Sequence, residues 1–238
     1  SPARGEVILR RKPSLPSRER VGERGRSKNM TLALLIDTAF EACQVALAQE
    51  QKIIAQDIRH GGGGQDRILA GMVRDLLQQQ KTDIKNLGSI AVTTGPGRFT
   101  GLRVGIAFAR GLALPYATPL IGLNTADLFA EDLRVLARDT TTLAVLLSVK
   151  RGESFVRFAT PNVPAIERVE DESLISRLTQ NGPATVGGFI SADTKELLSG
   201  QVTFIEGLNA PTLETMATFA ARSQPLPLSA IQPYYGAA

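Results

Sequence analysis

The order of strand-like and helix-like segments constrains the fold of this chain more than any other feature of its sequence. Short apolar runs bounded by turn residues predict strands, and longer stretches with an apolar stripe predict helices. The predicted strands cover residues 32–38, 43–48, 52–58, 90–93, 120–123, 143–147, 154–158, 166–169, 184–186 and 202–205, and the predicted helices cover residues 65–80, 102–114, 125–138, 171–178, 192–198 and 212–221. Both halves therefore contain three strands, a helix, a strand, a helix and a strand, in that order.

This duplicated order resembles that of the actin-like ATPase (ASKHA) superfamily. We therefore expect an α/β protein with two related β-β-β-α-β-α subdomains, although the two halves share no visible sequence repeat. We place the first subdomain at residues 30–118 and the second at residues 119–238, with a C-terminal tail that packs back on the first.

Residues 1–29 differ from the rest of the chain in charge. They contain nine basic and three acidic residues, a net charge of +6, whereas residues 30–238 carry 18 basic and 20 acidic residues. Three prolines and the lack of an apolar period predict a disordered basic leader. Three interpretations stay open: an extension upstream of a natural start at Met30, a basic arm that touches nucleic acid, and an organellar targeting peptide.

The content of cysteine and histidine excludes several classes of site. One Cys cannot form a disulfide framework, and one Cys with one His cannot supply the ligands of a Cys/His zinc site. The sequence has no apolar run long enough to cross a membrane and no secretory signal. Catalysis that rests on a pair of histidines is likewise excluded. We expect a soluble cytoplasmic protein without a membrane partner or a metal site of its own.

Two motifs predict a remnant of a phosphate-binding loop. The first strand ends at Asp37 and Thr38, where a carboxylate and a hydroxyl suit a metal-bound phosphate, although both residues are also common in turns. The second motif is Gly95-Pro96-Gly97 before a helix, a junction that directs backbone N–H groups at an anion. The alternative is that these glycines only allow a tight turn, and that Gly101 and Gly105 allow close helix packing.

The motifs together resemble the TsaB (YeaZ) family over about residues 30–238. The resemblance is carried by Asp37-Thr38-Ala39, Glu41-Ala42-Cys43, Gly95-Pro96-Gly97-Arg98-Phe99-Thr100-Gly101-Leu102-Arg103, Arg151-Gly152-Glu153 and Pro233-Tyr234-Tyr235. It implies a non-catalytic accessory subunit of the machinery that makes threonylcarbamoyladenosine at adenosine 37 of tRNAs that read ANN codons. The implied partners are the catalytic subunit TsaD, as a heterodimer, the ATPase TsaE, and tRNA through the complex.

The single histidine agrees with an accessory role. The catalytic subunit needs a His-x-x-x-His pair for its metal, and His60 is followed four residues later by Gly64. The chain also departs from the family pattern: Arg98 replaces a common Ser, and Ser148-Val149-Lys150 replaces a common Asp-Ala-Arg. The lost carboxylate weakens Mg–nucleotide binding by the chain alone, so we expect ATP or ADP with Mg²⁺ only at the interface of the complex.

The first two predicted helices are the expected partner surface. The second helix is apolar around most of its circumference, which is typical of burial on more than one side. Family members use both helices in a bundle with TsaD. The predicted interface residues are Leu69, Met72, Val73, Leu76, Arg103 and Phe108. The alternative is burial within the chain itself, and an uncovered apolar face would also favour a homodimer of the isolated protein.

The sequence leaves two alternative functions to consider, a phosphotransferase and a metallopeptidase. A free-standing actin-like ATP-dependent phosphotransferase would use Gly187-Gly188 for adenosine, but Ser148 stands where it needs a carboxylate. A metallopeptidase is less consistent still, because one histidine cannot build its metal site.

Overall fold

The computed structural model describes residues 32–61, 64–137, 142–159 and 166–236. The first unit begins with three strands, of which the first two are almost fully buried. Its elements are β1 (Leu32–Asp37), β2 (Ala42–Gln49), β3 (Lys52–His60), α1 (Gln65–Gln79), β4 (Leu87–Gly95), α2 (Phe99–Ala113), β5 (Leu120–Asn124) and α3 (Thr125–Leu136). The predicted leader at residues 1–29 and the start at Met30 lie outside the described residues.

The strands of the first unit form a mixed sheet in the order β3-β2-β1-β4-β5. β1 lies at the centre, antiparallel to β2 and parallel to β4, so that Ile36 pairs with Val45 on one side and with Val92 on the other. Central strands covered on both faces must be apolar throughout, which explains the uninterrupted run of β1. Helices α1 and α2 cover one face of this sheet.

The second unit repeats this topology. Its elements are β6 (Thr142–Lys150), β7 (Glu153–Phe158), β8 (Glu167–Glu170), α4 (Asp171–Thr179), β9 (Ala184–Gly187), α5 (Ala192–Leu197), β10 (Thr203–Phe204) and α6 (Leu213–Arg222). Its sheet order, β8-β7-β6-β9-β10, is the order of the first sheet with each strand replaced by its counterpart. The predicted α/β class and the duplicated actin-like arrangement are therefore confirmed.

The last helix of each unit joins the two units. Phe129 and Leu133 of α3 pack with Val145 and Leu147 of β6, in the second sheet. Conversely, α6 packs against the first sheet, where its apolar face meets strands β1, β2 and β5. Each unit thus contributes a helix to the core of the other.

A buried carboxylate fixes the start of α6. The Asp132 side chain of α3 accepts hydrogen bonds from the Thr212 backbone N–H at 2.8 Å, the Thr212 hydroxyl at 2.7 Å and the Thr215 hydroxyl at 2.5 Å. Thr212 is the N-cap of α6 as predicted, since its hydroxyl oxygen accepts from the Thr215 N–H at 3.2 Å.

Two predicted boundaries differ from the structure. The division between residues 118 and 119 separates β5 from the first unit, whereas β5 pairs in parallel with β4, so the first sheet extends to Asn124. Helix α2 begins at Phe99, three residues before the predicted start, because the backbone leaves the extended conformation directly after Arg98.

The tail after α6 returns to the first unit. The Leu226 N–H donates to the Leu120 carbonyl oxygen at 2.9 Å, and Ile231 is buried in the core beneath α1 and α2. Within the described ranges, no helix combines the length and the hydropathy that a membrane span requires.

Candidate functional site

The end of β1 holds the predicted carboxylate in a fully buried position. Asp37 Oδ1 accepts hydrogen bonds from the Ala39 N–H at 3.0 Å and the Thr93 hydroxyl at 2.8 Å, and Oδ2 accepts from the Gln44 amide at 3.0 Å. Burial raises the pKa of Asp37 above its ordinary value, because desolvation outweighs these three hydrogen bonds. Both carboxylate oxygens are thus engaged by the chain itself.

The glycine string packs against the turn that follows β1. A Cβ at residue 97 would lie 2.7 Å from the Ala39 carbonyl oxygen, and a Cβ at residue 101 would overlap the Thr38 carbonyl oxygen. A Cβ at residue 105 would overlap the Thr38 hydroxyl, which donates to the Gly101 carbonyl oxygen at 2.8 Å. These glycines therefore permit the close approach of α2 to the turn.

The Gly95–Pro96 peptide bond is cis, and other residues of the chain pack around it as they do around the rest of the glycine string. Gly95 has φ = 111° and lies against the Tyr234 backbone, and its N–H donates to the Thr125 hydroxyl at 3.1 Å. The Arg98 N–H donates to the Ala39 carbonyl oxygen at 2.7 Å. The structure brings all five residues of the predicted phosphate-loop remnant together, and it gives each of them contacts within the chain.

Ser148 is the counterpart of Asp37 in the second unit. Its hydroxyl lies 3.3 Å from the hydroxyls of Ser154 and Thr194 and accepts from the Ser191 N–H at 3.2 Å. A small network of hydroxyls therefore takes the place of a carboxylate at this turn.

Gly187-Gly188, weighed above as an adenosine site, is packed against its own sheet. A Cβ at residue 188, whose φ is 131°, would overlap the Leu146 carbonyl oxygen. A Cβ at residue 187 would lie 2.7 Å from a methyl group of Leu133. The close approach that these glycines permit on the Cβ side is therefore to the protein itself.

A cleft of about 960 Å³ lies between the two units. The rings of Phe40 and Phe189 are stacked beside it, with centroids 4.4 Å apart. The charged side chains along the cleft are of both signs, namely Arg98, Lys150 and Arg151 against Glu41, Asp171 and Asp193. Arg98 pairs with Glu41 at 2.9 Å and Arg151 lies 3.7 Å from Asp193, so the charges largely offset one another.

The cleft residues do not fit a metal-bound phosphate. Among the described residues, Asp37 does not line the cleft, and Ser148 offers a hydroxyl that is already hydrogen-bonded. No group of three or more His, Cys, Asp or Glu side chains in the described part of the chain could hold a metal ion.

The predicted interface on α1 is wrong in its residues. Leu69, Met72, Val73 and Leu76 have at most 2% of their surface exposed, and they pack against the first sheet. The apolar stripe of α1 is thus covered by the chain's own strands, as in the alternative weighed above. Phe108 is half-buried against the same core.

The outer face of α2 carries an exposed stripe, of which the sequence analysis named only Arg103. Arg103, Ala107, Gly111 and Leu114 are exposed, and their spacing of four, four and three residues places them on one side of the helix. Leu114 exposes 69% of its surface. The half-buried Val104, Phe108 and Leu112 border this stripe.

One glycine leaves space on this surface. A Cβ at Gly111 would meet no atom within 4 Å. We call Arg103, Ala107, Gly111 and Leu114 the outer helix face. Small residues beside exposed apolar ones permit the close approach of another helix.

The chain is similar to known proteins along part of its length. A family model described as "TsaD: tRNA N6-adenosine threonylcarbamoyltransferase" matches residues 65–167. The "tRNA threonylcarbamoyladenosine biosynthesis protein TsaB" of Escherichia coli K12 is 41% identical over 98 residues, which is 41% of this chain and 42% of that protein. A "tRNA N6-adenosine threonylcarbamoyltransferase" of Fervidobacterium nodosum is 33% identical over 108 residues, or 39% of this chain and 32% of that protein.

A solved structure shares the whole fold. "YeaZ from Pseudomonas aeruginosa" superposes with a TM-score of 0.68 and 22% identity, covering 87% of this chain and all of that one. This likeness shows the fold, whereas the matches to the two curated relatives span less than half the length of each.

Proposed function

Because the chain is similar to TsaB proteins and shares the fold of YeaZ, we propose that it takes part in the biosynthesis of threonylcarbamoyladenosine in tRNA as a non-catalytic accessory subunit. In this proposal it binds the catalytic TsaD subunit and thereby supports transfer of the threonylcarbamoyl group to adenosine 37. The ATPase TsaE and the tRNA join through the complex. ATP or ADP with Mg²⁺ would bind at its interface, held in part by the partner.

The two turns at the cleft support an accessory role. An actin-like phosphotransferase would direct a carboxylate and free N–H groups at a phosphate, whereas here Asp37 and Ser148 are engaged by other groups of the chain. The resemblance to the TsaD family model begins at residue 65, after the single histidine His60. It therefore supports common descent with the catalytic subunit and does not supply the histidine pair that the catalytic subunit needs.

The outer helix face is the observation that carries the partner-binding proposal. It places an exposed Leu114 beside Ala107 and Gly111, next to space that a side chain could occupy. Contiguous exposed apolar surface that is bordered by polar residues is typical of protein interfaces. A helix of the partner laid along α2 would bury Leu114 and approach the backbone at Gly111. In the absence of the partner, a second copy of the chain would be the competing occupant.

Substitution of Gly111 tests this surface without disturbing the core. A Gly111→Arg side chain has free space in the isolated chain, so the circular dichroism spectrum and the Tm should stay near those of the wild type. In the complex it would meet the partner, and we expect the affinity for the cognate TsaD protein to fall at least about tenfold, equal to about 1.4 kcal/mol. Val135→Arg is the matched control, because Val135 is 72% exposed and lies on α3, outside the outer helix face.

A cellular experiment tests the function itself. After depletion of the native protein, nucleoside mass spectrometry should show loss of threonylcarbamoyladenosine from tRNA. The wild-type chain and Val135→Arg should restore it, and Gly111→Arg should not. Full restoration by Gly111→Arg would refute the surface, and an unchanged nucleoside after depletion would refute the function.

A further inference from the structure

The last described residues form a strap that connects the two units. We define the C-terminal strap as residues 226–236. It begins beside β5, where Leu226 pairs with Leu120 in an isolated antiparallel bridge. Ile231 is then buried in the first core, and the Tyr234 N–H donates to the Thr94 carbonyl oxygen at 2.7 Å. The strap ends in the second unit, where Gly236 lies against the Phe155 ring of β7.

Tyr235 of the strap contacts both units at once. Its hydroxyl accepts a hydrogen bond from Arg103 Nε of α2 at 3.1 Å, and its carbonyl oxygen accepts from Arg168 Nη2 of β8 at 2.6 Å. Its ring stacks on Phe99 with centroids 5.1 Å apart and an angle of 28° between the planes. The Arg103 guanidinium lies 3.8 Å above the centre of the Phe99 ring. The side chains of Tyr235, Phe99 and Arg103 thus form one cluster in which each contacts the other two.

This contact restrains the charged end of the outer helix face. Arg103 is exposed, and an exposed arginine normally samples many rotamers that it would lose on docking. Here a hydrogen bond and an aromatic ring hold its guanidinium before any partner arrives. Fixing a side chain in advance lowers the entropic cost of binding.

We infer that Tyr235 is a positioning residue for partner docking, which acts by holding Arg103 of the outer helix face together with the neighbouring Phe99. The inference rests on the proposed function, since it deepens the description of the same surface. Through Arg168, it also joins the docking surface to the second unit, so that a change in one unit reaches the other through one residue of the strap.

A double-mutant cycle tests this inference with the full chain and its cognate TsaD protein. Loss of the Tyr235 hydroxyl in Tyr235→Phe should weaken binding about two- to tenfold, the range for one hydrogen bond, and Tyr235→Ala should weaken it further. If Tyr235 acts through Arg103, the variant that carries both Arg103→Ala and Tyr235→Phe should bind as Arg103→Ala does. Tyr234→Phe is the matched control, because in the described residues the Tyr234 hydroxyl makes no hydrogen bond; it should bind as the wild type.

A second measurement uses the isolated chain and needs no partner. Hydrogen exchange of the Arg103 Nε–H, followed by NMR, should accelerate in Tyr235→Phe and stay unchanged in Tyr234→Phe. Wild-type affinity of Tyr235→Ala, additive effects in the cycle, or unchanged exchange would each overturn the inference. If the wild-type chain itself does not bind TsaD while the exchange responds as expected, the proposed function fails and the restraint on Arg103 stands.

Discussion

Gly101 and Gly111 lie on the same helix, yet alanine should have opposite effects at the two positions. Gly101 is in the first turn of α2 and Gly111 in the last, and in a helix alanine is favoured over glycine by up to about 0.8–1 kcal/mol. They differ in surroundings. A Cβ at residue 101 would overlap the Thr38 carbonyl oxygen, whereas a Cβ at residue 111 would meet nothing within 4 Å.

The structure determines which effect dominates at each position. The obstacle at residue 101 is backbone of the turn after β1, which is held by the Thr38–Gly101 hydrogen bond and cannot rotate away. Overpacking in a buried site costs about 1–3 kcal/mol, and displacement of this turn places Gly101→Ala at the upper end. After the gain in helix propensity, we expect a net loss of about 2 kcal/mol. Gly111→Ala should retain the whole gain.

Chemical and thermal unfolding followed by circular dichroism at the helix band measure both effects. For a chain of this length, about 1 kcal/mol shifts the Tm by roughly 2–4 °C. We therefore expect the Tm of Gly101→Ala to fall by about 4–8 °C and that of Gly111→Ala to rise by about 2–4 °C. A stabilised Gly101→Ala would refute the view that the glycine string serves close packing. A destabilised Gly111→Ala would refute the open space on the outer helix face.

Two further predictions follow from buried titratable groups. Burial raises the pKa of Asp37 in the folded state, so protonation of its carboxyl group favours folding. The free energy of unfolding of the wild type, relative to that of Asp37→Asn, should therefore fall as the pH rises from the ordinary pKa of an aspartate through the raised pKa of Asp37. Urea unfolding of both proteins between about pH 4 and 8 measures this difference, and parallel pH profiles of the two proteins would contradict the prediction. Burial and the nearby carboxylates of Asp37 and Asp57 raise the pKa of the Cys43 thiol to about 11. A thiol reagent at neutral pH should therefore label Cys43 only after the protein unfolds. Rapid labelling of the native protein would argue against the burial of this thiol.

The fold could be predicted from the sequence because its information is local. The apolar run of β1 and the stripe of α1 each report burial on their own, and the order of such segments was enough to predict two related sheets. The bounds of short strands at the edge of a sheet were predicted less accurately. β10 contains only Thr203 and Phe204, about half the predicted strand, because a strand at the edge of the sheet pairs on one side only.

The site could not be predicted to the same degree, because periodicity reports that a face is buried and not what buries it. Met72 and Leu76 have the pattern of a helix that docks on a partner, and they dock on the chain's own sheet. Likewise, an Asp at the end of β1 has the same local sequence whether it faces a phosphate or hydrogen-bonds Thr93, which is 56 residues away. The sequence around Gly111 does not indicate a docking surface, because the open space beside this glycine depends on which parts of the fold lie near it.

The cleft and the ties between the units together support the binding role that we propose. A catalytic cycle driven by a nucleotide would use a cleft that opens and closes around a bound phosphate. Here the units exchange helices α3 and α6, Arg157 of β7 pairs with Asp127 of α3 at 2.7 Å, and the strap crosses from one unit to the other. Opening the cleft would break all of these contacts at once, and no phosphate cradle at Asp37 or Ser148 would compensate. These contacts favour the proposed docking surface on α2 over a catalytic role of the cleft.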